Sequence, residues 1–241
     1  MFVVLTVIFK LSYIKFTFLE FAFLFFVNSM DIYSIFCILI TFIVFYQTIL
    51  MSVMNFGRDG TSAMKIAGYS YWISPHLSAA LKSYPHIVII EFGTNDMMSG
   101  NFWNEKDFIH DYTELINKFK KLKSEPTVYL SIPGPVYNDI SKCETPDQIE
   151  QIGRFIKGVN IELPLIIRKI ALSTNSTIID LFKLMGGVHL KARDAMNEDN
   201  LHPNDFGYTK IAHEIAFIIS NTENFTVLHH HNKHSSFHSH H

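Results

Sequence analysis

No Asp, Glu, Lys or Arg occurs from Ile32 to Gly57, a stretch longer than the roughly 20 apolar residues that carry a helix across a bilayer. Ile, Leu, Phe and Val fill 13 of the positions from Ile32 to Met54, so insertion gains about 4 to 8 kcal/mol with no charge to oppose it. This run predicts an apolar N-terminal segment over 1–54 with a single transmembrane helix at 32–54, and the membrane as a partner through it. The earlier stretch from Met1 to Val27 is interrupted by Lys10, Lys15 and Glu20 and makes a weaker span, because a mid-membrane acid costs about 2.5 kcal/mol or more. Lys10 and Lys15 ahead of the strong span favour a cytoplasmic N-terminus, with the rest of the chain lumenal or extracellular.

After Asn55 the texture changes to short apolar runs alternating with amphipathic stretches, which is the pattern of a parallel sheet covered by helices. The runs from His86 to Phe92, Thr127 to Ile132 and Thr177 to Leu181 read as buried strands. Between the first two, Phe108, Tyr112, Leu115, Phe119 and Leu122 share one helical face. Between the second and third, Ile149, Ile152, Ile156, Val159 and Leu163 do the same, followed after Pro164 by Ile166, Ile167 and Ile170. A last helix carries Ile211, Ile215 and Ile218. The expected body, over 55–222, is α/β with right-handed crossovers and its functional loops at the carboxyl ends of the strands.

The formal charge of −2, from 20 basic and 22 acidic residues, provides no field for nucleic acid. Cys37 and Cys143 make neither a disulfide framework nor a CxxC pair. The segment 223–241 is His-rich, with seven histidines between His229 and His241 and no apolar periodicity, and is expected to be disordered. Such a tract lacks the fixed geometry of a dedicated metal site. The sequons at Asn175 and Asn224 permit glycosylation if the body is lumenal or extracellular.

Three clusters fall where the loops at the strand ends belong. In Asn55-Phe-Gly-Arg-Asp-Gly60 two glycines three apart let backbone N–H groups turn toward a bound atom. Gly93-Thr-Asn-Asp96 directly follows a strand, which places the Asn95 amide at the strand's carboxyl end. In Asp199-Asn-Leu-His202 the carboxylate, three residues ahead of the imidazole, can accept from one ring nitrogen and leave the other as a general base.

On these residues the chain, from about Ser52 to Ile219, resembles the SGNH, or GDSL-like, hydrolase superfamily. The resemblance implies a flavodoxin-like parallel sheet sandwiched by helices, and a serine esterase acting without cofactor or metal. The implied substrates are carboxylic esters, acetyl esters above all, of carbohydrate or other small alcohols. It also assigns roles: Gly60 and Asn95 become oxyanion donors, and Asp199 and His202 the acid and base of a triad. Ile132-Pro-Gly-Pro-Val-Tyr137 and Tyr71-Trp72 resemble the branch that includes sialate O-acetylesterase-like proteins.

The family's first block, Gly-Asp-Ser followed by Leu or Ile, is missing. Ahead of Ser52 stand only Ser12, Ser29 and Ser34. Ser29 is the best placed, after the apolar run Phe21 to Val27, although Val27 and Asn28 stand where glycine and aspartate are expected. Loss of the nucleophile from a comparable triad costs on the order of 10⁶ in turnover. A second reading is therefore a membrane-anchored pseudoenzyme that binds acylated glycans or other partners without turnover.

Overall fold

The computed structural model describes residues 7–11, 51–98, 103–138 and 140–234. Five strands, β1 (Val7–Leu11), β2 (Met51–Asn55), β3 (Ile87–Glu91), β4 (Thr127–Ile132) and β5 (Thr177–Asp180), form one sheet in the order β2-β1-β3-β4-β5. Helix α1 (Pro75–Lys82) lies between β2 and β3, and α2 (Glu105–Lys120) between β3 and β4. Helices α3 (Pro146–Lys157) and α4 (Leu163–Thr174) lie between β4 and β5, followed by α5 (Leu181–Leu184) and α6 (Asp205–His234).

The central strands are apolar at every position from Ile87 to Ile90 because both of their faces are covered. Val88 and Ile90 pack in one layer with Phe108, Tyr112 and Leu115 of α2 and Ile166 and Ile170 of α4. Ile87 and Ile89 face the other way, onto Ile211, Ile215 and Ile219 of α6. Full burial of a side chain of this size contributes about 1.5 to 3 kcal/mol. Helix α2 starts where the Asn104 side chain accepts from the Asp107 N–H, with Glu105 and Asp107 in its first turn and Lys118 and Lys120 in its last, each sign matched to the helix dipole.

The structure departs from four expectations. Strands β3, β4 and β5 are mutually parallel, but β1, between β2 and β3, is antiparallel to both, with Val7 opposite Asn55 on one side and Ile89 on the other. A short apolar strand satisfies its neighbours' N–H and C=O groups in either direction, and antiparallel pairing is slightly the stronger per residue. The transmembrane helix placed at 32–54 lies mostly outside the described residues, and its last part is no helix. Met51–Asn55 is a sheet strand whose backbone bonds go to β1, so the folded body takes in residues ahead of 55. Among the described residues no helix is long and apolar enough to cross a membrane.

The third concerns the C-terminal segment 223–241, of which 235–241 lie outside the described residues: α6 runs on to His234, with neither proline nor glycine after Gly207 to stop it. The fourth concerns the face drawn through Ile149, Ile152 and Ile156. None of the residues of α3 is buried and Ile149 is 45% exposed, whereas Val159 and Leu163 are buried. A π-helical turn at Gly158–Glu162 inserts extra backbone between the two halves and rotates one apolar face out of phase with the other.

Candidate active site

Strands β2, β3, β4 and β5 run the same way, so the segments that leave them all emerge at one edge of the sheet. The segment after β2 turns at Asp59-Gly60, where Gly60 has φ +71°, a conformation that costs an L side chain but not glycine. Tyr71 and Trp72 pin this loop. The Tyr71 hydroxyl donates to the Phe56 carbonyl at 2.9 Å, and the Trp72 ring N–H to the Ala63 carbonyl at 2.8 Å.

The segment after β3 is bound to that loop. The Asn95 amide donates to the Thr61 carbonyl at 3.1 Å, and the Asp96 carboxylate accepts from the N–H groups of Met64 at 2.9 Å and Ala63 at 3.2 Å. Burial pushes Asp96 up to about 6, against the pull of those N–H donors. Gly93, at φ +121°, lets the turn begin close under α4, where an added Cβ would lie 2.4 Å from Leu163 Cδ1. Gly60 and Asn95 are thus held in one hydrogen-bonded unit.

Asp199 and His202 sit in the loop before α6. One oxygen of Asp199 accepts from the N–H groups of Leu201 and His202, at 3.0 and 2.9 Å, and the other from His202 Nδ1 at 2.5 Å. Burial opposes ionisation of Asp199, but the His202 N–H, the His202 ring and the Leu201 N–H bring its carboxyl down to about 2. An ionised carboxylate can only accept, so in the neutral ring Nδ1 carries the proton and Nε2 the lone pair. Tyr137 shapes this loop from beneath. Its N–H donates to the Asn200 carbonyl at 2.8 Å, and its buried hydroxyl donates to the Met185 carbonyl and accepts from the Ala192 N–H.

His202 lines a cavity of about 100 Å³. Leu181, Met185, Met196, Leu201 and Ile211 form its apolar walls, and Glu91, Thr94 and Tyr208 are its other polar residues. Burial pushes the Tyr208 phenol up, and so do the carboxylates of Glu91, Asp199 and Asp59. Glu91 and Thr94 belong to the end of β3 and the turn that carries Asn95, so the cavity joins that turn to the histidine loop. Burial likewise pushes Glu91 up, against a hydrogen bond from Ser131.

The structure therefore brings Gly60, Asn95, Asp199 and His202 to one edge, while Ser29 lies outside the described residues. The sequence reading missed Glu91, Asp96 and Tyr208. A carboxylate ending an otherwise apolar strand was the available signal for Glu91. Among the described residues the group with most metal-ligand character is His110, Asp111 and Glu114 of α2, in which the buried Asp111 accepts from the Lys65 N–H. The ammonium of Lys65 already pairs with its Asp111 and Glu114.

The chain is similar to known proteins over most of this body. The sequence model of the GDSL-like lipase/acylhydrolase family matches residues 50–210. An acetylxylan esterase of Xylanibacter ruminicola is 26% identical over 184 residues, which cover 69% of this chain and 35% of the relative. The chain thus spans about a third of the length of that curated relative. The crystal structure of a carbohydrate acetylesterase from Sinorhizobium meliloti superposes with a TM-score of 0.50 at 16% identity, over 68% of this chain and 75% of that one. An acetyl xylan esterase structure gives a TM-score of 0.42 at 25% identity, over 58% and 69% of the two chains.

Proposed function

Because the chain belongs to the GDSL-like lipase/acylhydrolase family, we propose that it hydrolyses short carboxylic esters, acetyl esters of carbohydrate above all, by serine catalysis. The observation that carries this reading is the Asp199–His202 pair, bonded at 2.5 Å, at the same sheet edge as the Gly60 and Asn95 loops. The acetylxylan esterase relative supports the choice of acyl and alcohol.

In this mechanism a serine Oγ attacks the ester carbonyl while His202 Nε2 takes its proton, with Asp199 holding the ring and stabilising the positive charge that develops. The Gly60 N–H and the Asn95 amide stabilise the oxyanion. The intermediate collapses by breaking the bond to the alcohol oxygen, which receives the proton from His202. Water then attacks the acyl-enzyme through the same base and releases the acid. The serine itself is not identified, and Ser29 is a candidate for it. Membrane attachment through the uncharged run ahead of β2 belongs to the same proposal, and resistance of the chain to alkaline carbonate extraction tests it.

One observation favours the second reading, a binding protein without turnover. The strand beside β3 runs in reverse, so its carboxyl end, Leu11, lies at the edge away from His202. The purified chain incubated with p-nitrophenyl acetate and a fluorophosphonate probe separates the two. Saturable turnover with the probe bound to a serine establishes the hydrolase and identifies the nucleophile, and absence of both leaves the binding protein.

A further inference from the structure

One carboxyl in the His202 cavity has no part in that mechanism. Glu91 ends β3 on the face that carries Ile87 and Ile89, and its partner across the sheet is Ser131. The buried Ser131 hydroxyl donates to Glu91 Oε2 at 2.5 Å. This fixes the carboxyl in one orientation. Its other oxygen has no hydrogen-bond partner among the described residues, and Glu91 forms part of the cavity wall.

The cavity is small and mostly greasy. An aliphatic cavity of about 150 Å³ takes benzene, so about 100 Å³ suits an acyl group of about two to four carbons and excludes a fatty chain. A plain alkyl group filling it would shut the second oxygen of Glu91 away from water with nothing to bond. A site with a buried polar group left unpaired by one ligand and paired by its isostere discriminates between them by about tenfold or more. Tyr208, across the same cavity, adds a phenol to the polar end.

We propose that this cavity receives the acyl group of the ester, and that Glu91 makes it select short hydroxyacyl groups, such as glycolyl and lactoyl, over alkyl groups of the same size. The inference rests on the hydrolase reading for the side of the ester that enters.

Glycolamide and propionamide differ only by hydroxyl against methyl and give a test by binding, which requires no nucleophile. Titrated into the full chain and followed by the ring resonances of His202, glycolamide should bind about tenfold more tightly. Glu91→Gln, which keeps a hydrogen-bonding group, should retain that order, and Glu91→Leu should abolish or reverse it. Equal affinities in the native chain, or tighter propionamide, overturn the proposal whether or not the Leu variant folds. Methyl glycolate and methyl propionate test the hydrolase reading separately. If neither is turned over while glycolamide keeps its advantage, that reading fails and the selective pocket stands. If both are turned over at the same kcat/KM, the pocket fails and the hydrolase stands.

Discussion

The side-chain amide of Asn95 donates a hydrogen bond to the carbonyl of Thr61 at 3.1 Å, which fixes the orientation of the amide. The amide comes from the end of β3 and the carbonyl from the loop after β2. A single bond thus couples the two donors assigned to the oxyanion, and neither can drift without the other. Asn95→Ala should therefore lower kcat by about 10² to 10³ with a smaller change in KM, measured with p-nitrophenyl acetate. An equal rise in KM with kcat unchanged would assign Asn95 to ground-state binding instead.

Asp199 accepts three donors, and its carboxyl is drawn down to about 2. For a carboxyl whose folded value lies below its unfolded one, the stabilisation is present above the unfolded value and is lost as pH falls through the folded one. The pair with His202 should accordingly persist from neutrality down to about pH 3, and the acid limb of a pH–rate profile should not report Asp199. Asp199→Asn should remove about 10⁴ of kcat, by letting the ring take the wrong tautomer. An unchanged rate would separate Asp199 from the chemistry.

Asp96 behaves in the opposite sense. Its ordinary value of 3.8 rises to about 6 in the folded chain, so between these values the unfolded chain releases a proton that the folded chain keeps. Stability then falls as pH rises through that window, by up to about 3 kcal/mol. Asn at position 96 does not titrate. Urea unfolding at pH 4 and pH 7 should show the native chain losing about that much relative to Asp96→Asn, and parallel pH curves would refute the assignment.

Gly93→Ala brings a Cβ to 2.4 Å from Leu163 at a φ of +121°, which joins a clash to a strained backbone and should cost about 2 to 4 kcal/mol. Leu163→Ala relieves the clash but leaves a cavity. The double variant should be less destabilised than the sum of the singles, as chemical denaturation would show, and strict additivity would mean that the two residues do not meet.

Much of this fold is legible in one dimension. The runs around Ile87, Thr127 and Thr177 are apolar because their strands are covered on both faces, and the stripe through Phe108, Tyr112 and Leu115 records the layer that covers them. Tyr71, Trp72 and Tyr137 stand out as weak signatures, and the structure gives them one kind of work, holding the loops of Gly60 and His202 in place. The direction of β1 is not legible, since an apolar strand has the same composition whichever way it runs. The phase slip at Gly158 is hidden for a similar reason: periodicity counts residues and not the backbone turn they make. Glu91 became meaningful only when Ser131 and His202 appeared beside it.

The reversed strand also governs the order in which the sheet can assemble. Val7 pairs with Ile89, Ile87 with Thr127 and Tyr129 with Thr177, so no two neighbouring strands are joined by a tight hairpin and every pairing waits for a long loop to close. Such topologies fold slowly, on the millisecond-to-second scale. Strand β1 is synthesised first yet fills the gap between β2 and β3, both made later. Until it docks, β2 has no partner in the sheet and the edge of β3 stands raw, open to any extended segment that arrives sooner.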